Sequence, residues 1–273
     1  MKKICYFDDG ISFYFGGVMQ SVERRMKIFE ILKEKKVIQV VDLASVFHVS
    51  NMTIRRDLAK LEEQGVLTTH YGGATLNEGV SSEPSFQLKS GQSQKYKEMI
   101  AKEAAFLVND GDSIFVDCGT TTMELVKYLQ NKKITIVTNS WRVLSEIKDF
   151  SKIKVIMAPG EYDVISEGVL SSSTISFIQQ YRVDKAFIST QGVDEHFDVC
   201  VPMDYDAQVK RSIMNCAKHA ILLVDHTKFN QSYFAKHGNL KDFDVVITDC
   251  GMDDATFNQI KNCGISIVKA NRE

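Results

Sequence analysis

The stretch Val49-Ser50-Asn51-Met52-Thr53-Ile54-Arg55-Arg56-Asp57-Leu58-Ala59-Lys60-Leu61-Glu62 decides how the front of this chain folds. Ser50 is a good N-cap, because a hydroxyl just ahead of a helix accepts from backbone N–H groups that lack partners inside it. At 100° per residue Ile54, Leu58 and Leu61 share one face, which predicts a helix with that face against a core. Met52 and Arg56 lie opposite, flanked by Thr53, Arg55 and Lys60. Upstream, Ser21 can cap a first helix carrying Met26, Ile28, Phe29, Ile31 and Leu32 at helical spacing, and Val40 to Phe47 fits a shorter second helix. Gly65 can stop the third helix, and Val66 to Ala74, with its Gly72-Gly73 pair, reads as a hairpin, the wing of a winged helix. A short helix, a tight turn and a capped helix bearing two adjacent arginines let a helix N-terminus enter the major groove of DNA. The planar arginine fork can hold guanine bidentately or clamp a phosphate. For the arginine pair taken alone, a charged face that only meets solvent is the competing reading.

Composition bounds what the rest can be. The chain has 273 residues, 44% hydrophobic and 25% charged, with a formal net charge of -2. This is ordinary globular usage for one or two domains and excludes a disordered tail or a fibrous repeat. It also excludes a surface coated in basic charge, so any nucleic-acid contact must come from a local patch. Residues 19–76 carry nine Lys or Arg against seven Asp or Glu, so placement matters more than excess. The six cysteines show neither zinc-finger nor Cys-x-x-Cys spacing, so reduced thiols, no metal site and no cofactor are expected. No window approaches the roughly 18 apolar residues of a bilayer span. Asp8 and Asp9 interrupt a faintly signal-like start, which favours a cytoplasmic protein with no membrane partner. Residues 1–18 are expected to be an N-terminal extension or poorly ordered arm ahead of a start at Met19.

The helical region, 19–76, gives way to a polar stretch, 77–92, containing Gly79, Ser81, Ser82 and Pro84, which has the composition of a linker. From residue 93 to 273, short apolar runs alternate with amphipathic segments, predicting an α/β domain of parallel strands joined by helices. The expected strands are Ser113 to Asp117, Ile134 to Thr138, Lys154 to Ala158, Lys185 to Ser189, Ala220 to Asp225, Asp244 to Thr248 and Ile265 to Lys269. Their carboxyl ends should line one edge, where open α/β sheets hold ligands. The first of them leads into Asp117-Cys118-Gly119-Thr120-Thr121-Thr122 and then a helix, an arrangement that suits a bound anion such as phosphate. Simple N-capping by threonine is the alternative. Thr138-Asn139-Ser140, Pro159-Gly160-Glu161, Thr190-Gln191-Gly192-Val193-Asp194 and Asp225-His226-Thr227-Lys228-Phe229 end later strands. Lys210 and Lys228 could neutralise a phosphate, or be solvated surface lysines.

The segment from Val49 to Leu58, with Leu61-Glu62 and Gly72-Gly73-Ala74, resembles the helix-turn-helix signature of the DeoR family of bacterial transcriptional regulators. Members often carry Arg where this chain has Thr69 and His where it has Tyr71. From about Lys95 to Asp249 the chain resembles that family's sensor domain, through Asp117-x-Gly-Thr-Thr, Thr138-Asn139-Ser140, Asp184 to Ser189, Val209-Lys210-Arg211, and Asp225 with Lys228-Phe229. Pro159-Gly160 stands where a Gly-Gly pair is common. The resemblance implies a mixed architecture: a small winged helix-turn-helix domain followed by a Rossmann-like α/β sensor, similar in fold to ribose-5-phosphate isomerase, that binds a phosphorylated sugar. It further implies a homo-oligomer, dimer or tetramer, that binds an operator in double-stranded DNA and represses carbohydrate genes. A sugar-phosphate isomerase-like enzyme is the rival reading. Such isomerases use an Asp-Gly-Ala-Asp loop where this chain has Gln191-Gly192-Val193-Asp194, so the first carboxylate is absent. The candidate DNA contacts are Ser50, Asn51, Met52, Thr53, Arg55, Arg56, Lys60 and His70. The candidate effector contacts are Asp117, Gly119, Thr120, Thr121, Thr122, Thr138, Asn139, Ser140, Gly160, Gln191, Gly192, Asp194, Lys210, Asp225 and Lys228.

Overall fold

The computed structural model describes the backbone of two short strands, β1 (Ile4–Tyr6) and β2 (Ser12–Tyr14), and residues 21–63, 66–77, 86, 89 and 93–270. β1 and β2 pair antiparallel, where a poorly ordered arm was expected; both are short runs of strand-forming residues. The remainder of the extension, Gly65 and most of the expected linker lie outside the described residues, although Phe86 and Lys89 within that linker are buried. The chain divides into two compact units, 1–92 and 93–273.

In the first unit, α1 (Ser21–Lys35), α2 (Val40–Phe47) and α3 (Asn51–Glu63) enclose one core. The helical periodicity has its expected consequence: Met26, Ile28, Phe29, Ile31 and Leu32 meet Leu43, Ile54, Leu58 and Leu61, all buried. Each such side chain contributes roughly 1.5 to 3 kcal/mol on leaving water. The wing pairs β4 (Leu67–His70) with β5 (Gly73–Leu76), but a strand absent from the sequence reading, β3 (Val37–Gln39), adds to β5 and makes a sheet ordered β3-β5-β4. Both glycines of the turn have a physical reason. Gly72 has φ of +87°, and a Cβ on Gly73 would stand 2.2 Å from the Ile38 carbonyl oxygen. The buried ion pair Arg24–Asp57, at 2.6 Å, ties α1 to α3.

The second unit is a seven-stranded parallel sheet with helices on both faces. In chain order its elements are α4 (Gln94–Ala105), β6 (Ser113–Val116), α5 (Thr120–Val126), β7 (Thr135–Thr138), α6 (Trp141–Ile147), β8 (Lys154–Met157), the hairpin β9 (Tyr162–Asp163) and β10 (Gly168–Val169), and α7 (Ser172–Ile178). They continue with β11 (Val183–Ser189), β12 (Gly192–Val193), β13 (Asp198–Val201), α8 (Asp204–Cys216), β14 (Ala217–Leu223), β15 (Ala235–Asn239), β16 (Val245–Asp249), α9 (Asp254–Asn262) and β17 (Ile267–Ala270). The sheet order is β17-β16-β14-β11-β6-β7-β8.

Alternate residues of each strand serve opposite faces. Ile114, Val116, Ile136 and Phe187 pack with α4, α5 and α6, whereas Phe115, Val137, Ala186 and Ile188 pack with α7, α8 and α9. A strand covered on both sides needs apolar residues throughout, which is why these strands were legible as continuous runs. Three short strands were not anticipated: β12, β13 and β15 form a separate antiparallel sheet. The stretch Gly192-Val193-Asp194, expected as a loop at the sheet edge, is therefore a strand followed by a turn.

Chain order runs outward from β6 through β7 and β8 on one side and through β11, β14, β16 and β17 on the other. The direction of winding reverses between β6 and β11, and the carboxyl ends at such a reversal are where open α/β sheets hold ligands. No described helix is long and apolar enough to cross a membrane.

Candidate functional site

In the first unit, Ser50 caps α3: its Oγ accepts from the Thr53 N–H at 3.1 Å and lies 2.9 Å from Thr53 Oγ1. Asn51, Met52, Arg55, Arg56 and Lys60 are exposed and Thr53 is half-buried, so the polar side of α3 faces solvent while Ile54, Asp57, Leu58 and Leu61 face inward. Lys60 is held by Glu63 at 2.7 Å. His70 crosses the wing to Thr75 Oγ1 at 2.9 Å. Arg55, His70 and Tyr71 share the wall of a crevice of about 310 Å³ between α3 and the hairpin, and Arg56 is not among its lining residues.

Sequence reasoning missed the clasp that sets the wing against this helix. Glu62 accepts from the Thr69 N–H at 2.7 Å and from its hydroxyl at 2.9 and 2.8 Å. These bonds, led by the one from the Thr69 backbone, hold the Glu62 carboxyl below its usual pKa. Thr69, where an arginine is common in the resembling family, thus ties the wing to α3. Leu61-Glu62 lay within the quoted motif, but nothing in the sequence pointed Glu62 at residue 69.

In the second unit the switch between β6 and β11 is occupied by buried charge. Asp117, one residue past β6, is fully buried; its Oδ2 accepts from Lys210 Nζ at 2.6 Å and from the Ser189 N–H and hydroxyl at 3.1 Å each. Lys210 comes up from α8 and also faces Asp206 at 3.5 Å, one helical turn earlier. Burial opposes ionisation of Asp117, but the adjacent ammonium outweighs it and holds the carboxyl below the usual range. Burial likewise opposes the charge on Lys210, and Asp117 with Asp206 overcomes it, so the lysine stays protonated far above its ordinary range. Asp117, Cys118 and Asp206 offer ligand atoms of the kind a metal ion uses, yet the Lys210 ammonium is the cation that these carboxylates hold. The sequence reading placed Lys210 as a partner for phosphate; the structure gives it two protein carboxylates.

The other expected contacts divide between this cluster and its surroundings. A Cβ on Gly119 would stand 1.7 Å from Ser189 Oγ, so the turn after β6 needs glycine to pass Ser189. Thr120 and Thr121 are nearly buried at the start of α5; Thr122 donates to the carbonyls of Asp117 and Gly119 at 2.8 Å each. Thr138 donates to the Val116 carbonyl at 2.7 Å, and Ser140 caps α6 by accepting from the Val143 N–H. Asn139, at the end of β7, is fully buried. These residues and Lys210 meet around the carboxyl ends of β6 and β7.

Gly160, Gln191, Gly192, Asp194, Asp225 and Lys228 have other settings. Gly160 packs on Ser171 and Thr174 at the start of α7. Gln191 is half-buried ahead of β12, and Gly192 pairs with Cys200. Asp194 accepts from the N–H groups of His196 and Asp198 at 2.9 Å each, so its carboxylate builds the β12–β13 turn. Asp225 is buried and caps the turn His226–Lys228 through Thr227, and Lys228 is half-buried. Both follow β14, two strands from β6 and so roughly 10 Å away at ordinary strand spacing.

Ser189, Thr190, Asp206 and His237 complete the cluster; the sequence reading places Thr190 only as part of a strand end and does not single out the other three as site residues. His237 Nε2 lies 3.2 Å from Thr190 Oγ1. Burial, reinforced by Lys210, pushes its pKa down to about 3, so the ring is neutral at physiological pH. Only the Asp206/Lys210 spacing of four residues could have signalled any of this.

Comparison with known proteins follows the same division. Residues 24–80 match the DeoR-like helix-turn-helix domain, and residues 92–250 match the DeoR C terminal sensor domain. The chain is 32% identical to the glycerol-3-phosphate regulon repressor of Escherichia coli (strain K12), over 85% of this chain and 92% of that one. It is 31% identical to the HTH-type transcriptional repressor GlcR of Bacillus subtilis (strain 168), over 92% and 96%. Among solved structures, a ribose 5-phosphate isomerase A from Methanocaldococcus jannaschii aligns over 50% of this chain and 55% of its own, at 19% identity and a TM-score of 0.38.

Proposed function

Since the chain belongs to the DeoR family of transcriptional regulators, we propose that it is a repressor of carbohydrate-metabolism genes whose hold on operator DNA is set by a phosphorylated sugar. The observation that carries the DNA half is the exposed face of α3, where Arg55 and Arg56 follow directly on a Ser50-capped start while Ile54, Leu58 and Leu61 anchor the opposite face. A helix so anchored can present its first turns to the major groove without losing its core. Asn51, Met52, Thr53, Arg55 and Arg56 are the proposed groove contacts. Lys60 and His70 are proposed as flanking contacts, each exchanging its present partner for phosphate.

The effector half rests on the buried polar cluster at the switch between β6 and β11, with Asp117, Gly119, the three threonines and the ends of β7 around it. An assembly of two or four copies would set two α3 helices on half-sites roughly 34–36 Å apart, or a multiple of that. Effector binding would then favour a spacing that fits the operator less well. A coupling of about 1 to 3 kcal/mol gives roughly a 5- to 150-fold change in DNA affinity. The protein acts in the cytoplasm on this reading, where operator and sugar phosphates both occur.

The test is a gel-shift titration against upstream DNA of the chain's own gene neighbourhood, with and without a panel of sugar phosphates. Arg55→Ala with Arg56→Ala should abolish the shift while leaving the melting temperature unchanged, since both side chains are exposed. Undiminished binding by that variant would sink the α3 assignment. A DNA affinity that no phosphorylated sugar alters would sink the sensor assignment.

A further inference from the structure

Several buried polar atoms of the sensor unit have no hydrogen-bond partner, and two of them, both acceptors, end adjacent strands at the switch point. Asp117 spends Oδ2 on Lys210 and Ser189, and although the Cys118 N–H also favours the carboxylate, its Oδ1 makes no hydrogen bond of full geometry. Asn139 donates Nδ2 to the Val169 carbonyl at 3.3 Å, which fixes the orientation of the amide and leaves its Oδ1 without a partner. Both residues are fully buried. They follow β6 and β7, which run parallel with Val116 opposite Thr138, so the two residues end adjacent strands. Buried polar atoms are almost always satisfied, and an orphan pair at the switch point of the sheet needs an explanation.

The chemistry of the missing partner follows from the polarity of the pair. Both atoms accept, so what is missing is a donor, and three of the neighbouring hydroxyls are already spent. Ser189 donates to Asp117, Thr122 to the carbonyls of Asp117 and Gly119, and Thr138 to the Val116 carbonyl. A phosphate group is the wrong guest, because it offers mainly acceptor oxygens and negative charge to an acceptor beside a carboxylate. A hydroxyl group is the right one, and a bound water can hold its place until a sugar supplies it. The β9–β10 hairpin lies over this floor, with the Val169 N–H on the Asn139 carbonyl at 2.7 Å and Gly168 bridged to Ser140. A guest that reaches the pair must displace that hairpin.

We propose that Asp117 and Asn139 form a hydroxyl-recognising floor, so that the effector enters with its alcohol end inward and its phosphate away from this pair. This rests on the sensor reading above and adds to it the orientation of the ligand and the groups that read it.

The experiment is a calorimetric and thermal-shift series on the full chain. The probes are glycerol 3-phosphate, ribose 5-phosphate, glucose 6-phosphate, their deoxy analogues, propyl phosphate and inorganic phosphate, with ribose and glucose as unphosphorylated controls. The expected result is that the strongest sugar phosphate loses about ten- to a hundredfold in affinity when one particular hydroxyl is removed, the signature of a buried acceptor left unpaired. Asn139→Leu should lose a similar factor against the parent sugar phosphate and bind parent and deoxy compound alike. Its ligand-free melting temperature should change little, because removal of the unpaired acceptor offsets loss of the long Nδ2 bond to the Val169 carbonyl. A merely structural Asn139 would leave the discrimination between parent and deoxy compound intact.

Should Asn139→Leu fail to fold, the ligand series on the unmodified protein decides alone. Binding that ignores every hydroxyl, with propyl phosphate as good as any sugar phosphate, overturns this inference and leaves the sensor reading standing. Free sugars binding as well as their phosphates, with one hydroxyl essential, supports the floor and refutes the phosphate. Binding by none of the probes overturns both.

Discussion

Lys210→Met removes the one ammonium that faces two buried carboxylates, and its cost can be worked from their positions. Lys210 Nζ lies 2.6 Å from Asp117 and 3.5 Å from Asp206, with all three side chains almost wholly buried. Deleting one partner of a buried pair strands the other charge, which typically costs 3 to 5 kcal/mol, far more than the pair contributes over an apolar replacement. For a unit of this size about 1 kcal/mol corresponds to roughly 2 to 4 °C, so the melting temperature should drop by roughly 6 to 20 °C. The pH dependence has a definite sign. In the unmodified protein Asp117 sits below its unfolded value of about 3.9, so its contribution is present above that pH and lost as the pH falls. Without Lys210, burial, the largest influence on this carboxyl, outweighs the remaining hydrogen bonds from Ser189 and lifts the folded value above the unfolded one; that carboxyl then favours folding at low pH and opposes it as the pH rises. The gap between the two proteins should therefore be widest at neutral pH and narrow toward pH 4 to 5. Urea unfolding at several pH values measures it, and Asp117→Asn with Lys210→Met should recover part of the loss. A cost below about 1 kcal/mol at pH 7, or one that does not change with pH, would show that Lys210 is not seated between these carboxylates.

Three further outcomes are expected. His237 titrates near 3 in the folded chain against about 6.5 unfolded, so below pH 6.5 the unfolded state binds a proton that the folded state refuses. Stability should fall by roughly 1.4 kcal/mol per pH unit between about pH 6 and 4, and His237→Gln should remove that slope; identical urea-derived slopes would contradict the buried neutral ring. Gly119→Ala would put a methyl group within 1.7 Å of Ser189 Oγ and drive Ser189 off Asp117, at a cost of about 1 to 3 kcal/mol. A melting temperature unchanged by this substitution would show that the turn has room to spare. Glu62→Ala frees Thr69 and with it the wing, so operator affinity should fall while circular dichroism stays constant, and Glu62→Gln, which keeps an acceptor, should retain most of the binding. A gel shift in which Glu62→Ala binds as tightly as the parent would reduce the clasp to a surface contact.

The chain's local patterns determined its two kinds of architecture. Ile54, Leu58 and Leu61 recur at the spacing of a helix face, Ser50 stands where a cap is needed, and the parallel strands are apolar throughout because helices cover both faces of the sheet. Periodicity of that kind is a property of a dozen consecutive residues, and it survives without knowledge of any partner. Pairing between distant segments is not. Val37–Gln39 became a strand only because β5 runs beside it, and Gly192-Val193 because β13 turns back upon it. Lys210 reads the same whether it meets solvent, a phosphate or a carboxylate; the fold chose Asp117, 93 residues away, by bringing α8 against the end of β6. The sequence therefore settled which stripes are buried and where the strand ends fall. Which charges those ends bury together, and which acceptors they leave waiting for a guest, was decided by the order in which the sheet assembles its strands.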